Sequence, residues 1–230
     1  MSAAPRRSGG DRAGNPDPLL VACALRIEQA ALRSAGPGAA RGPAGSYSLL
    51  RTGMGPRAAE RAVARALDRP AMERAAVLAT GFCAGLVPGM HPGDLVVAEE
   101  TRGRQGAVTC TGTALLAEAL ARAAPGRTVH TGALTGSDHV VRGQERAQLR
   151  ATGAIAVDME SAATLWTATR GGLSPEGGRP VAAVRVIVDA PEHELVRIGT
   201  VRGGISAFRV LRAVLPAFYE WHRSLLLPRR

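Results

Sequence analysis

The sequence predicts a three-layer α/β fold, a mostly parallel sheet covered by helices on both faces. Two observations predict it. Short apolar runs recur along the chain with little polar alternation, as strands buried on both sides do. Between them lie segments whose apolar residues fall at helical spacing, and strands alternating with helices argue for parallel pairing. A length of 230 residues is long for a minimal domain and short for two.

The elements follow in order. Residues 1–18, rich in Pro, Gly, Arg and Ser, read as a disordered leader, leaving 19–230 as a single domain. Leu19–Ala24 is a buried strand, and Arg26–Ala35 is a helix with Ile27, Ala30, Ala31 and Ser34 on one face. After a Pro/Gly loop at 36–45, Ser46–Arg51 is a strand. Thr52–Gly55 is a turn, and Pro56 opens a helix to Leu67. Ala76–Thr80 and Leu95–Ala98 are strands, Gly112–Ala124 is an Ala/Leu helix stopped by Pro125-Gly126, and Thr128–Leu134 is a strand. Gly143–Ala151 is a polar helix. Ala154–Asp158 is a strand running into a helix at Glu160–Thr169. A loop at Gly171–Arg179 leads to the strand Val181–Asp189, apolar but for one Arg, and Ile205–Leu226 is one long closing helix.

Composition excludes several classes. No apolar run reaches the ~18 residues of a spanning helix. The first residues carry no apolar h-region, so no secretory signal is expected. Three cysteines make no disulfide framework, which suits a reducing, cytoplasmic setting. The formal charge is +10, yet all 29 basic residues are arginine. They are scattered, and aromatics are only 3%, so nothing supplies the basic run or stacking platform of a nucleic-acid binder. GC-rich coding accounts for the arginine.

Local motifs are weak. Gly53-Met54-Gly55-Pro56-Arg57-Ala58 imitates a dinucleotide fingerprint, but it follows the second strand and no acid ends the next strand about twenty residues on. No Walker loop occurs. The histidines at 91, 130, 139, 193 and 222 are unpaired in sequence and no Cys-x-x-Cys exists, so no metal and no cofactor is expected. Cys83 follows a strand within a glycine-rich loop, but without a paired base it reads as a small packed residue.

The stronger signal is acidic. In parallel sheets the carboxyl ends of strands converge on the ligand crevice. Glu28, the Asp158/Glu160 pair and Asp189 all fall at or just past such ends. Each alone reads as a cap or a solvated residue; their joint placement favours a site. Asp189 closes a strand of Val, Ala and Ile, where desolvation favours a proton donor.

Three segments then carry a resemblance. Val157-Asp158-Met159-Glu160-Ser161-Ala162-Ala163 resembles the V-[DE]-M-E-x-x-A signature of the purine nucleoside phosphorylase and nucleosidase family. Thr80-Gly81-Phe82-Cys83-Ala84-Gly85-Leu86 with Pro92-Gly93-Asp94-Leu95-Val96-Val97 is similar to its TG-x-AGGL…GD-[IV]-V-V segment, and Arg185–Asp189 to its R-x-[IV]-S-D strand end. The resemblance implies a central twisted mixed sheet, a homo-oligomer with a dimer favoured, and cleavage of the N-glycosidic bond of a small nucleoside. It assigns Asp189 as the acid at purine N7, Glu160 to the ribose hydroxyls and Met159 beneath the sugar. Val140 and Val141 would flank the base, and Asp158, Phe82, Cys83, Ala84 and Gly85 would belong to the binding segments.

Cys23-Ala24-Leu25-Arg26-Ile27-Glu28 resembles the G-A-M-x-x-E segment of methylthioadenosine/S-adenosylhomocysteine nucleosidases, in which the Glu positions attacking water. A carboxylate on the nucleophile side repels phosphate, which favours hydrolysis over phosphorolysis. For a phosphorylase, Arg51 or Arg57 would have to hold the phosphate. Phe82 replaces a small residue of the pattern, Val188 a Ser, and Val140 an aromatic, all making the pocket more apolar or less stacking. The closest-looking branch is associated with hopanoid biosynthesis, which implies adenosylhopane as substrate; methylthioadenosine-type and futalosine hydrolases are the competitors. The apolar, basic stretch Phe208–His222 reads first as a helix packed on the sheet. Its second reading is contact with a lipid-like substrate or the inner membrane face.

Overall fold

The computed structural model describes residues 17–35, 47–170, 178–191 and 200–226. The expected leader, apart from its last two residues, the 36–45 loop and most of the 171–179 loop lie outside these.

The strands are β1 (Leu19–Cys23), β2 (Tyr47–Arg51), β3 (Ala76–Gly85), β4 (Leu95–Gly103), β5 (Gly106–Thr109), β6 (Val129–Gly136), β7 (Ala154–Asp158) and β8 (Val181–Asp189). The helices are α1 (Arg26–Arg33), α2 (Pro56–Leu67), α3 (Thr113–Ala123), α4 (Gln144–Ala151), α5 (Ser161–Arg170), α6 (Thr200–Ala213) and α7 (Leu215–Leu226), with a 3₁₀ turn at Pro70–Met72.

The three layers follow from strand geometry, because successive side chains point to opposite faces. Leu19, Val21, Leu78, Leu95, Val97, Val184 and Val186 enter one core with α1, α3, α6 and α7. Leu20, Val77, Ala79, Val96 and Ala183 enter another with Val63 and Ala66 of α2 and Leu165 and Ala168 of α5. The apolar runs were unalternating because both faces are covered.

The eight-stranded sheet is mixed, with five strand pairs parallel and three antiparallel, which fits both the mostly parallel reading and the mixed sheet implied by the resemblance. β1 lies parallel between β2 and β3. β8 runs parallel to β3 and antiparallel to β4, and β6 is parallel to β4 and β7. The end of β3 pairs antiparallel with β7 through Ala84↔Val157 and Gly85↔Ala156, so β3, β8, β4, β6 and β7 close into a ring. At the closure the β3–β8 register slips. Cys83 pairs Ile187, Ala84 pairs Asp189, and Val188 is passed over. Such a bulge splays a strand pair and re-aims side chains.

Several elements differ from expectation. β3 and β4 run on to Gly85 and Gly103, and β5 returns from β4 as a hairpin that its Gly-Ala-Val-Thr sequence does not announce. The helix after Asp158 begins at Ser161, and the Glu160 carbonyl accepts the first helical bond from the Thr164 N–H at 2.9 Å. The closing helix is two helices, broken at Val214. Pro216 lacks the N–H of the next helical bond and its ring clashes with the preceding turn, so the chain restarts instead of continuing. The buried Phe218 and Trp221 place α7 in the core, the packing reading of that segment.

Candidate active site

The site forms where β1, β3, β7 and β8 end around one cavity of about 280 Å³. Ten of the eleven residues singled out from the sequence line it: Asp189, Glu28, Glu160, Met159, Asp158, Val140, Val141, Phe82, Cys83 and Ala84. Gly85 does not. It is packed inward, where a Cβ would stand 2.8 Å from Met90 Sδ, so its role is to admit that sulfur.

Glu28 sits in the first turn of α1 with its carboxylate turned back on the chain. Oε2 accepts from the N–H groups of Ala24 (2.9 Å) and Leu25 (2.8 Å), and Oε1 from Phe82 N–H at 2.9 Å. Burial pushes its carboxyl above the usual range, against the opposing pull of Arg185 and these three donors. Glu160 is held by the N–H of Gly55 at 2.8 Å, across 105 residues of sequence. Burial raises its carboxyl too, with Arg185 opposing and Asp158 adding to the rise.

Asp158 lines the cavity but faces the protein. It pairs with Arg185 at 2.5 Å and accepts from Ser161 N–H, so its first duty is to hold the floor. Arg185, almost fully buried, also donates to Ser161 Oγ at 2.8 Å and the Thr80 carbonyl at 2.9 Å. Burial works against its charge, and Asp158, Glu160 and Glu28 more than restore it. Gly81 makes room: a Cβ there would lie 2.5 Å from both Arg185 Nη1 and Glu28 Oε1. One guanidinium facing three carboxylates leaves the floor negative, which suits a cation-like sugar above it.

On another wall Asp189 pairs through Oδ2 with Arg146 of α4, while its Oδ1 has no partner among the described residues. Cys83 is buried, and burial raises its thiol far above the usual range, so it is a packed residue and no nucleophile. Val140 stands 63% exposed and Met54 67% exposed where the cavity opens. His139 joins them, held between Asp138 (2.8 Å) and Glu145 (3.0 Å), which together raise its affinity for a proton. A larger cavity of about 870 Å³ adjoins through the shared Met54 and Met159.

Sequence reasoning missed Leu25, Met54 and His139 in the lining, and Arg146 and Arg185 behind it. A lone Arg within an apolar strand was the available signal for Arg185. Nothing in the polar α4 marks Arg146 as buried. Arg57 lines the larger cavity and Arg51 a separate one beyond α1; neither lines the cavity of the acids. Among the described residues no cluster of His, Cys, Asp or Glu is arranged to hold a metal.

Fold and cavity thus define an α/β protein with a carboxylate-lined crevice at converging strand ends. The family model of the phosphorylase superfamily matches residues 41–216. The chain belongs to that superfamily. Among solved structures it is similar to the Neisseria meningitidis 5′-methylthioadenosine/S-adenosylhomocysteine nucleosidase in complex with methylthio-immucillin-A, at 22% identity and TM-score 0.69, covering 88% of this chain and 98% of that one. It is similar to the Streptococcus pyogenes S-adenosylhomocysteine nucleosidase in complex with 5-methylthiotubericidin, at 19% identity and TM-score 0.73, covering 90% and 98%. The Helicobacter pylori futalosine hydrolase gives 15% identity and TM-score 0.70, covering 88% and 97%. No curated protein matches the chain.

Proposed function

We propose that this chain hydrolyses the N-glycosidic bond of an adenine nucleoside bearing an apolar 5′ group, with adenosylhopane the favoured substrate. The observation that carries the reading is the convergence of Glu28, Glu160 and Asp189 on one cavity from three distant parts of the chain. Asp189 hands a proton to purine N7 as the bond to the sugar breaks, making the base a better leaving group. Glu160 holds the ribose hydroxyls, and the negative floor stabilises the oxocarbenium-like sugar. Met159 packs beneath the sugar. Val140 and Val141 flank the base. Glu28, fixed by three N–H groups, orients the water and takes its proton.

Water is favoured over phosphate as nucleophile. Arg185, the guanidinium beside the acids, is already committed to Asp158, Ser161 and Thr80. Among the described residues, no arginine lines the cavity to balance a phosphate against Glu28 and Glu160. The apolar walls Phe82, Val157 and Val188 support an apolar 5′ group. Methylthioadenosine, S-adenosylhomocysteine and futalosine are the competing substrates, since nucleosidases for them share this fold. The enzyme is taken to work in the cytoplasm as a homodimer. Any lipid contact belongs at the cavity mouth, since Leu215, Phe218 and Trp221 of α7 are in the core.

The test is product analysis by mass spectrometry on a nucleoside panel that includes a lipid-linked member, with and without phosphate. Adenine and free sugar without phosphate are expected. Ribose 1-phosphate formation would transfer the assignment to a phosphorylase. Binding of adenine with no turnover of any member would make the chain a nucleoside-binding protein.

A further inference from the structure

Arg146 has no part in the chemistry above, yet its surroundings are unusual. It is the buried residue of the polar helix α4. Its side chain is 8% exposed and that of Asp189 is 17% exposed. Nη2 donates to Asp189 Oδ2, and Nε lies 3.5 Å from the Val141 carbonyl. Asp189 and Val141 line the cavity; Arg146 stands behind them. Two buried polar atoms of the pair, Arg146 Nη1 and Asp189 Oδ1, have no partner among the described residues.

We infer that Arg146 is a positioning residue that gives Asp189 a single proton-bearing atom and sets its distance from the base. The inference rests on the nucleosidase reading. A guanidinium can only donate hydrogen bonds. With Oδ2 occupied by Arg146, a proton carried by Asp189 resides on Oδ1, the oxygen without a partner among the described residues. In the transfer the Oδ1–H bond breaks and N7–H forms, while the electron pair of the C1′–N9 bond passes into the purine. Water adds to C1′ and gives its proton to Glu28, and Asp189 is left as a carboxylate still held by Arg146. The same side chain reaches the Val141 carbonyl, so it ties the wall flanking the base to the acid. Fixing two reacting groups in this way is worth orders of magnitude in rate.

The test is a double-mutant cycle on whichever nucleoside of the panel the wild type turns over. Arg146→Met is expected to lower kcat by about a hundredfold with KM changed only a few-fold. Arg146→Lys, which still donates to Oδ2, is expected to recover part of the loss. In an Asp189→Asn background, Arg146→Met is expected to cost less than about threefold, because its effect runs through Asp189. An equal cost in both backgrounds, or full activity in Arg146→Met, overturns the inference. If Arg146→Met does not fold, the cycle is run with Arg146→Gln under the same criteria. A wild type that releases no nucleobase from any panel member fails the nucleosidase reading itself, which is visible before any variant is made.

Discussion

Arg185 and Asp158 form an ion pair sealed beneath the cavity, 2.5 Å apart, with side chains 2% and 1% exposed. The pair joins β8 to the end of β7, and its guanidinium offsets part of the repulsion among the three carboxylates that share the crevice. Removing one partner strands the other charge in the interior. Arg185→Met is therefore expected to cost about 3–5 kcal/mol of stability. Urea unfolding measures this; a loss below about 1 kcal/mol would mean that Asp158 finds another partner or takes up a proton.

Asp189→Asn removes the proposed proton donor while keeping the size of the side chain. Adenine release is expected to fall by about 10²–10⁴-fold; the melting temperature is expected to fall as well, because the buried Arg146 loses its charged partner, so rates are compared where the variant is folded. Full activity in this variant rules out the acid assignment.

Glu28→Gln keeps an acceptor for the Phe82 N–H but cannot take a proton from water. Loss of hydrolysis is expected. Phosphate-stimulated turnover in the variant would show that the carboxylate had been excluding a different nucleophile.

Glu160 gives a pH-dependent stability effect. Burial raises its carboxyl in the folded protein, so the native state binds a proton that the unfolded chain has already lost. That contribution is full below the ordinary glutamate range and is lost as pH rises through the raised folded value. Glu160→Gln keeps an acceptor for Gly55 N–H and carries no such penalty. The variant is expected to gain stability relative to wild type at neutral pH and to lose the advantage at low pH. Denaturation midpoints across pH test this, and a pH-independent difference argues against it.

Gly81 adopts φ +137°, and a Cβ there would collide with the Arg185 and Glu28 side chains at 2.5 Å. Gly81→Ala is expected to cost about 1–3 kcal/mol from strain and overpacking. It should also lower adenine release by displacing Glu28. Unchanged stability and rate would mean that both side chains can withdraw.

Much of this was legible in the residues themselves. Helix α2 and strand β8 fall where expected, because Pro56 opens one and a nine-residue apolar run makes the other. The acids were legible because strand ends are where a sheet leaves polar groups to a ligand. Hairpin β5, the far half of β3 and the break at Val214 were not. The segment Thr80–Gly85 carries no alternation, and its extension depends on β7 and β8 arriving to bond with it.

By itself, then, the chain's order of residues determined the alternation of elements and which carboxylates stand at strand ends, since both depend on local periodicity and on where apolar runs stop. Only the tertiary structure decided how those carboxylates are held. Glu160 meets Gly55, Arg146 meets Asp189, and Arg185 meets Asp158 only once the ring of strands has closed. Charge pairs across such sequence separations form in the low-dielectric space that packing creates, and no local pattern records which partner each will find.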